Sequence, residues 1–195
     1  MNFRSFITSR GVRSAVVMFF LIESILCTSA RAVDVALNDI VVTNTMEHLL
    51  VYFRVTDCFT EDMTKAIQNG INTTFTFFIR LHKVKNFWMD SEIADLKVSH
   101  SIQYDNLKNE YNIRLSERGN EVVSVKDFEK AKRLMSEVVD VKLCELKELE
   151  KGCRYQVKMM AELDKIRLPL LLHYVFFFLS LWDFETEWYM VDFKY

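Results

Sequence analysis

Between Leu49 and Val55 apolar side chains fall on every second residue (Leu49, Val51, Phe53, Val55), alternating with Leu50, Tyr52, Arg54 and Thr56. Successive side chains of a strand point to opposite faces, so this period of two predicts a half-buried strand. The pattern recurs at Phe75, Phe77, Ile79 and Leu81, within a run (73–84) rich in β-branched and aromatic residues. It returns at Leu96, Val98, His100, Ile102 and Tyr104. After a turn at Asp105-Asn106, Tyr111, Ile113 and Leu115 read as a hairpin partner. Tyr155, Val157, Met159, Ala161 and Leu163 repeat it most cleanly. Stretches 33–42 and 187–193 supply a first and a last strand, the first with an irregularity at Asn38-Asp39.

Two stretches switch to helical spacing. Met63, Ala66 and Ile67 form a stripe behind Thr60, which is placed to cap the first free amides. Glu61 and Asp62 sit at the positive end of the helix dipole, and Gly70 stands where a C-terminal cap belongs. Phe128, Ala131, Leu134, Met135 and Val138 follow a capping-box-like Ser124…Asp127, which predicts a helix over 125–138. Stretch 143–150 is ambiguous, one reading being a helical turn that ends at Gly152. Strands joined by short turns, with two short helices inserted, predict a mainly β (α+β) chain. Its architecture is an antiparallel β-sandwich rather than a βαβ fold. Seven or so strands are compatible with an immunoglobulin-like sandwich, the strand order being open.

One stretch fits neither period. From Leu168 to Trp182 the chain is almost wholly apolar around Pro169, its only proline. Leu170, His173, Phe176, Phe177, Phe178 and Trp182 are its candidate ligand- or partner-contacting residues. The readings are a membrane contact, a partner-docking surface, the wall of a lipid cavity, or a strand or helix closing the core. A bilayer-spanning helix needs about 20 apolar residues, which this run, with its proline and histidine, does not offer.

The N-terminus changes the picture of where the chain works. Arg4, Arg10 and Arg13 precede the apolar run 15–22, and Ala30-Arg31-Ala32 follows. Basic, apolar and small-x-small segments in that order predict a secretory signal peptide over 1–32, with 33–195 as a single β-rich domain. If uncleaved, the same segment is a signal anchor, and both readings put the body outside the cytoplasm. Of 25 Lys+Arg and 27 Asp+Glu, four arginines and one glutamate lie in 1–32. The remainder carries 21 against 26, a net charge of −5, which argues against a sequence-independent nucleic-acid binder.

Candidate chemistry is sparse. There is no phosphate loop, dinucleotide fingerprint, H-E-x-x-H or G-x-S-x-G, and no C-x-x-C, so no catalytic residue, metal site or cofactor is assigned. Beyond residue 32 the cysteines are Cys58, Cys144 and Cys153. They read as buried thiols, with a Cys144–Cys153 disulfide as the alternative in an oxidising compartment. His100 falls on the apolar face of its strand, as a hydrogen-bonded core histidine or as a pH-sensitive or ligand-contacting group. His82 shares a face with Arg80 and is expected in solvent. Asp57, Glu61 and Asp62 form an acidic cluster best explained by helix capping.

Several fragments in fixed order carry a further reading. They are Leu50-Val51…Asp57-Cys58-Phe59-Thr60, Ile67…Gly70-Ile71…Thr74-Phe75, Phe87-Trp88-Met89-Asp90 and Tyr104-Asp105. Gly152…Tyr155-Gln156-Val157-Lys158, Leu163-Asp164…Leu168-Pro169-Leu170 and Trp182-Asp183…Trp188-Tyr189 complete the set. In order and spacing the chain resembles the bacterial family of exported proteins known as DUF 4390, over about 33–189. The resemblance implies an exported, periplasmic protein with no established activity or cofactor, from a family whose genes often lie near a membrane sensor kinase of the nitrogen-regulation type. The leading expectation is thus a non-enzymatic periplasmic interaction or regulatory module with an envelope or inner-membrane partner. Its alternatives are a carrier or sensor of an apolar ligand such as lipid, suggested by Phe75, Phe77 and Phe176–Phe178, and, further behind, a hydrolase using His100 and Asp57.

Overall fold

Each alternating run forms a strand, and the apolar set of each faces a shared interior. The structure, a computed structural model, describes residues 35–85, 89–164 and 185–195. Along the chain these form β1 (Ala36–Asn44), β2 (His48–Thr56), α1 (Glu61–Gln68), β3 (Thr73–Lys83) and β4 (Ser91–Asp105). They continue as β5 (Glu110–Leu115), β6 (Glu121–Val125), α2 (Phe128–Ser136), β7 (Glu137–Glu145), β8 (Arg154–Leu163) and β9 (Tyr189–Lys194). Every pairing is antiparallel. One sheet has the order β1-β2-β7, the other β6-β5-β4-β3-β8-β9.

The two sheets share one core. Val51, Phe53 and Val55 of β2 and Val138, Val141 and Leu143 of β7 turn inward towards Phe75, Phe77, Ile79 and Leu81 of β3. Phe53 meets Phe77 edge to face at 5.7 Å between ring centroids. That is a favourable aromatic geometry, and it ties the sheets into a sandwich. Phe75, Phe77, Ile79, Leu81, Ile102, Ile113, Tyr155, Val157 and Met159 are fully buried.

Helix α1 forms as its caps predict. The Thr60 hydroxyl accepts from the Met63 amide at 3.1 Å, and Met63, Ala66 and Ile67 are buried. Gly70 has φ +81°, a left-handed conformation that suits the exit from a helix. The irregularity expected at Asn38-Asp39 is a shift in the β1–β2 register, with Asp39 at φ 53°.

Helix α2 is shorter than 125–138. Its cap is Asp127, which accepts from the Lys130 amide at 2.6 Å, while Ser124 lies in β6 and donates to Asn112. Val138, the last residue of the apparent helical stripe, belongs to β7. The β-branched run Val138-Val139-Asp140-Val141 and pairing with β2 turn the chain into a strand directly after Ser136. The ambiguous 143–150 stretch divides likewise: β7 runs through Glu145, and only Leu146–Glu148 forms a short 3-10 turn.

The 168–182 run, with Leu170, His173, Phe176, Phe177, Phe178 and Trp182, lies outside the described residues, as do 1–32 and Phe87-Trp88. The described residues on either side of the 165–184 stretch bond to the larger sheet. Asp164 accepts from the Thr76 hydroxyl at 2.6 Å, and the Thr186 amide donates to the Ala161 carbonyl at 2.9 Å. Among the described residues no helix is long and apolar enough to cross a membrane.

Candidate functional site

His100 stands on the core face of β4, as the alternation predicts, and is fully buried. Its ring packs edge to face against Phe77, centroids 4.9 Å apart. Nδ1 lies 3.1 Å from the Met135 carbonyl oxygen at the end of α2, and Nε2 lies 3.1 Å from Oε2 of Glu117. A carbonyl oxygen can only accept, so Nδ1 donates to Met135, and Nε2 faces the Glu117 carboxyl. Glu117 is positioned by the tight turn Ser116–Arg118, which follows β5 and closes at Gly119 (φ 67°). Its side chain is only 10% exposed. Burial pushes the Glu117 pKa up, but the hydrogen bond and charge of His100, its own backbone amide and Arg118 together outweigh that, leaving it below the ordinary carboxylate value.

Glu117 stands in one wall of a groove of about 440 Å³, with His100 buried behind it. Leu96, Lys97 and Val98 of β4, Ser116 and Glu117 of the turn, and Asp140, Val141 and Lys142 of β7 line it. The Ser116 hydroxyl oxygen accepts from the Ser99 amide at 2.8 Å. Asp140, in the left-handed region at φ 58°, accepts from the Tyr52 hydroxyl. That bond, with burial and the Asp140 charge, raises the Tyr52 pKa above its ordinary value.

The other candidates fall apart from this groove. His100 is bonded to Glu117 and Met135. Asp57 occupies a left-handed position (φ 56°) between β2 and α1, while Glu61 and Asp62 pair with Lys65 at 3.7 Å each. His82 is more covered than expected: its side chain is 16% exposed, with Nε2 3.9 Å from Glu92. Cys58, Cys144 and Cys153 are free thiols, so Cys144 and Cys153 are not joined. Burial pushes Cys58 up to about 12 and Cys144 up to about 11. Among the described residues no group of three His, Cys, Asp or Glu side chains converges as a metal site would require.

Glu117, Tyr52 and Asp140 were not apparent as site residues from the sequence. Glu117 had a readable signal: the hairpin register places His100 opposite Leu115, so the residues just beyond Leu115 must lie beside the histidine. Tyr52 and Asp140 had none, because they meet only through the β2–β7 pairing.

Fold and site together define a β-sandwich with two inserted helices, a groove on its flank and a buried His–Glu pair behind that groove. This chain belongs to the family described as a domain of unknown function, DUF4390, whose match covers residues 32–192. No curated protein and no solved structure matches it, so the immunoglobulin-like reading of the sandwich rests on strand number alone.

Proposed function

We propose that this protein is a non-enzymatic interaction or regulatory module, exported to the periplasm, whose partner is an envelope or inner-membrane protein such as a membrane sensor kinase. The observation that carries the reading is the state of His100. General base catalysis needs a nitrogen lone pair within reach of a substrate proton. Here Nδ1 is committed to the Met135 carbonyl, Nε2 is covered by Glu117, and the ring is fully buried away from solvent. The pair then serves as a brace that fixes the end of α2 and the Ser116–Arg118 turn to β4, giving the groove rigid walls. The apolar-ligand alternative loses one of its motivations, because Phe75 and Phe77 are consumed by ring contacts with Phe59, Phe53 and His100. Crosslinking in intact cells followed by affinity purification of the full chain tests the reading. Reproducible recovery of one envelope protein is the expected result; recovery of none under any growth condition contradicts it.

A further inference from the structure

Four strands of the larger sheet run in unbroken register at one end. Thr74, Ser101, Arg114 and Val122 form one row across β3, β4, β5 and β6, and Gln103, Asn112 and Ser124 form the next. Ile102 and Ile113, which alternate with them along β4 and β5, are fully buried in the core. Successive side chains of a strand point to opposite faces, so both rows stand on the face turned away from the core. A second groove, of about 400 Å³, opens there, lined by Asn72, Ser101, Gln103, Asn112, Arg114 and Val122. Ser101 and Asn112 are half-buried in its floor, and the other four are exposed.

The charge of this lining is one-sided: it holds one cation and no carboxylate. The groove beside Glu117 sets two lysines against two acids, and the one at the β1–β2 turn sets Lys147 against Glu47 and Glu145. Other outward-facing arginines of the sheets are paired. Arg54 reaches Asp39 at 3.2 Å and Glu137 at 2.8 Å, and Arg80 reaches Asp95 at 3.2 Å. Among the described residues Arg114 has no hydrogen-bond or ion-pair partner, and neither have Asn72, Ser101 and Gln103. A guanidinium stays charged and carries five N–H donors in a fixed fork. The orientation of the neighbouring amide adds to it. The Ser124 hydroxyl donates to Oδ1 of Asn112 at 2.6 Å, which occupies the carbonyl oxygen and leaves the amino group as the free end.

We propose that this groove binds a small polar molecule through a carboxylate, held by the guanidinium of Arg114 and by the side-chain amides of Asn112 and Gln103. The planar fork of an arginine matches the two oxygens of a carboxylate, and such charge-assisted bonds are stronger than neutral ones. A single positive charge balances a monoanion; a dianionic phosphate calls for a second cation, which the lining lacks. Val122 is its only apolar member, so an apolar ligand has little to bury against. The site needs no partner protein and is independent of the contact reading above.

The test titrates the isotope-labelled full chain with N-acetylglycine at constant ionic strength, with the neutral N-acetylglycinamide and inorganic phosphate as controls. The expected result is saturable shifts of the Ser101, Asn112 and Arg114 backbone amides with N-acetylglycine at about millimolar concentration, and none with N-acetylglycinamide. Arg114→Gln weakens binding about tenfold, whereas Arg54→Gln, which removes an arginine that is already paired, leaves it unchanged. Phosphate binds more weakly than the carboxylate. Absence of saturable shifts at these amides overturns the proposal, as does an equal response to N-acetylglycinamide or undiminished binding by a folded Arg114→Gln variant. Tighter binding of phosphate overturns the carboxylate assignment, and shifts that chloride alone reproduces mark an adventitious ion only. If crosslinking recovers no envelope partner while these shifts occur, the contact reading fails and the carboxylate site stands.

Discussion

The fully buried His100 faces the Glu117 carboxyl at 3.1 Å, and the chemistry of Glu117 makes a signed prediction. The Glu117 pKa lies below its ordinary value of 4.5 in the folded protein. A lowered carboxylate contributes stability that is fully present above the unfolded value and lost as pH falls through the folded one. Unfolding free energy should therefore decline as pH drops below about 4.5, and Glu117→Gln should flatten that decline. At neutral pH the same variant should cost about 2 kcal/mol, since it removes the carboxylate that partners the buried Nε2 of His100. Denaturant titrations across the acid range measure both effects. A wild-type acid limb unchanged in the variant would mean that other carboxylates control it. The thiols give a second prediction at this scale. Burial disfavours the thiolates of Cys58 and Cys144, whereas Cys153 is half-buried beside Glu150. Native alkylation near pH 8, read by peptide mapping, should label Cys153 well before Cys58 and Cys144.

At the scale of elements, local signals were enough wherever burial had a single period. Helix α1 could be read entire, because Thr60, the acidic first turn and Gly70 punctuate it at both ends. Thr60→Ala should remove the cap to Met63 and cost about 1 kcal/mol by thermal or chemical unfolding. A variant as stable as the parent would assign that amide another acceptor. The boundary between α2 and β7 was not legible, for a physical reason. Val138 fits a helical stripe with Leu134 and Met135, and no glycine or proline separates helix from strand. What ends the helix is the demand of β2 for a partner, with Phe53 opposite Val138 and Val51 opposite Val141. That contact joins residues far apart in the chain, beyond the reach of a local pattern. Strand β6 was missed for a related reason: only Val125 of its five residues is buried, so its alternation is too faint to see.

For the whole molecule, the antiparallel sandwich follows from alternation and short turns, while the division into sheets of three and six strands needed the register. The sheets also differ in the lengths of their neighbouring strands. The long β4 outruns β5, β7 crosses nearby in the other sheet, and a groove opens where neither sheet fills the space. None of the groove's eight lining residues was singled out by the sequence as chemistry-bearing, because a strand edge is made of backbone and carries no motif. The central claim is that this protein works by contact rather than by turnover. Site-specific photocrosslinking in intact cells tests it most directly, with the photoreactive side chain at Lys142 of the groove and, as comparison, at the exposed Met46 between β1 and β2. The account predicts one reproducible adduct with an envelope protein from Lys142 and none of that mass from Met46. Absence of any protein adduct from Lys142, in cells where the full chain is exported and folded, would contradict it.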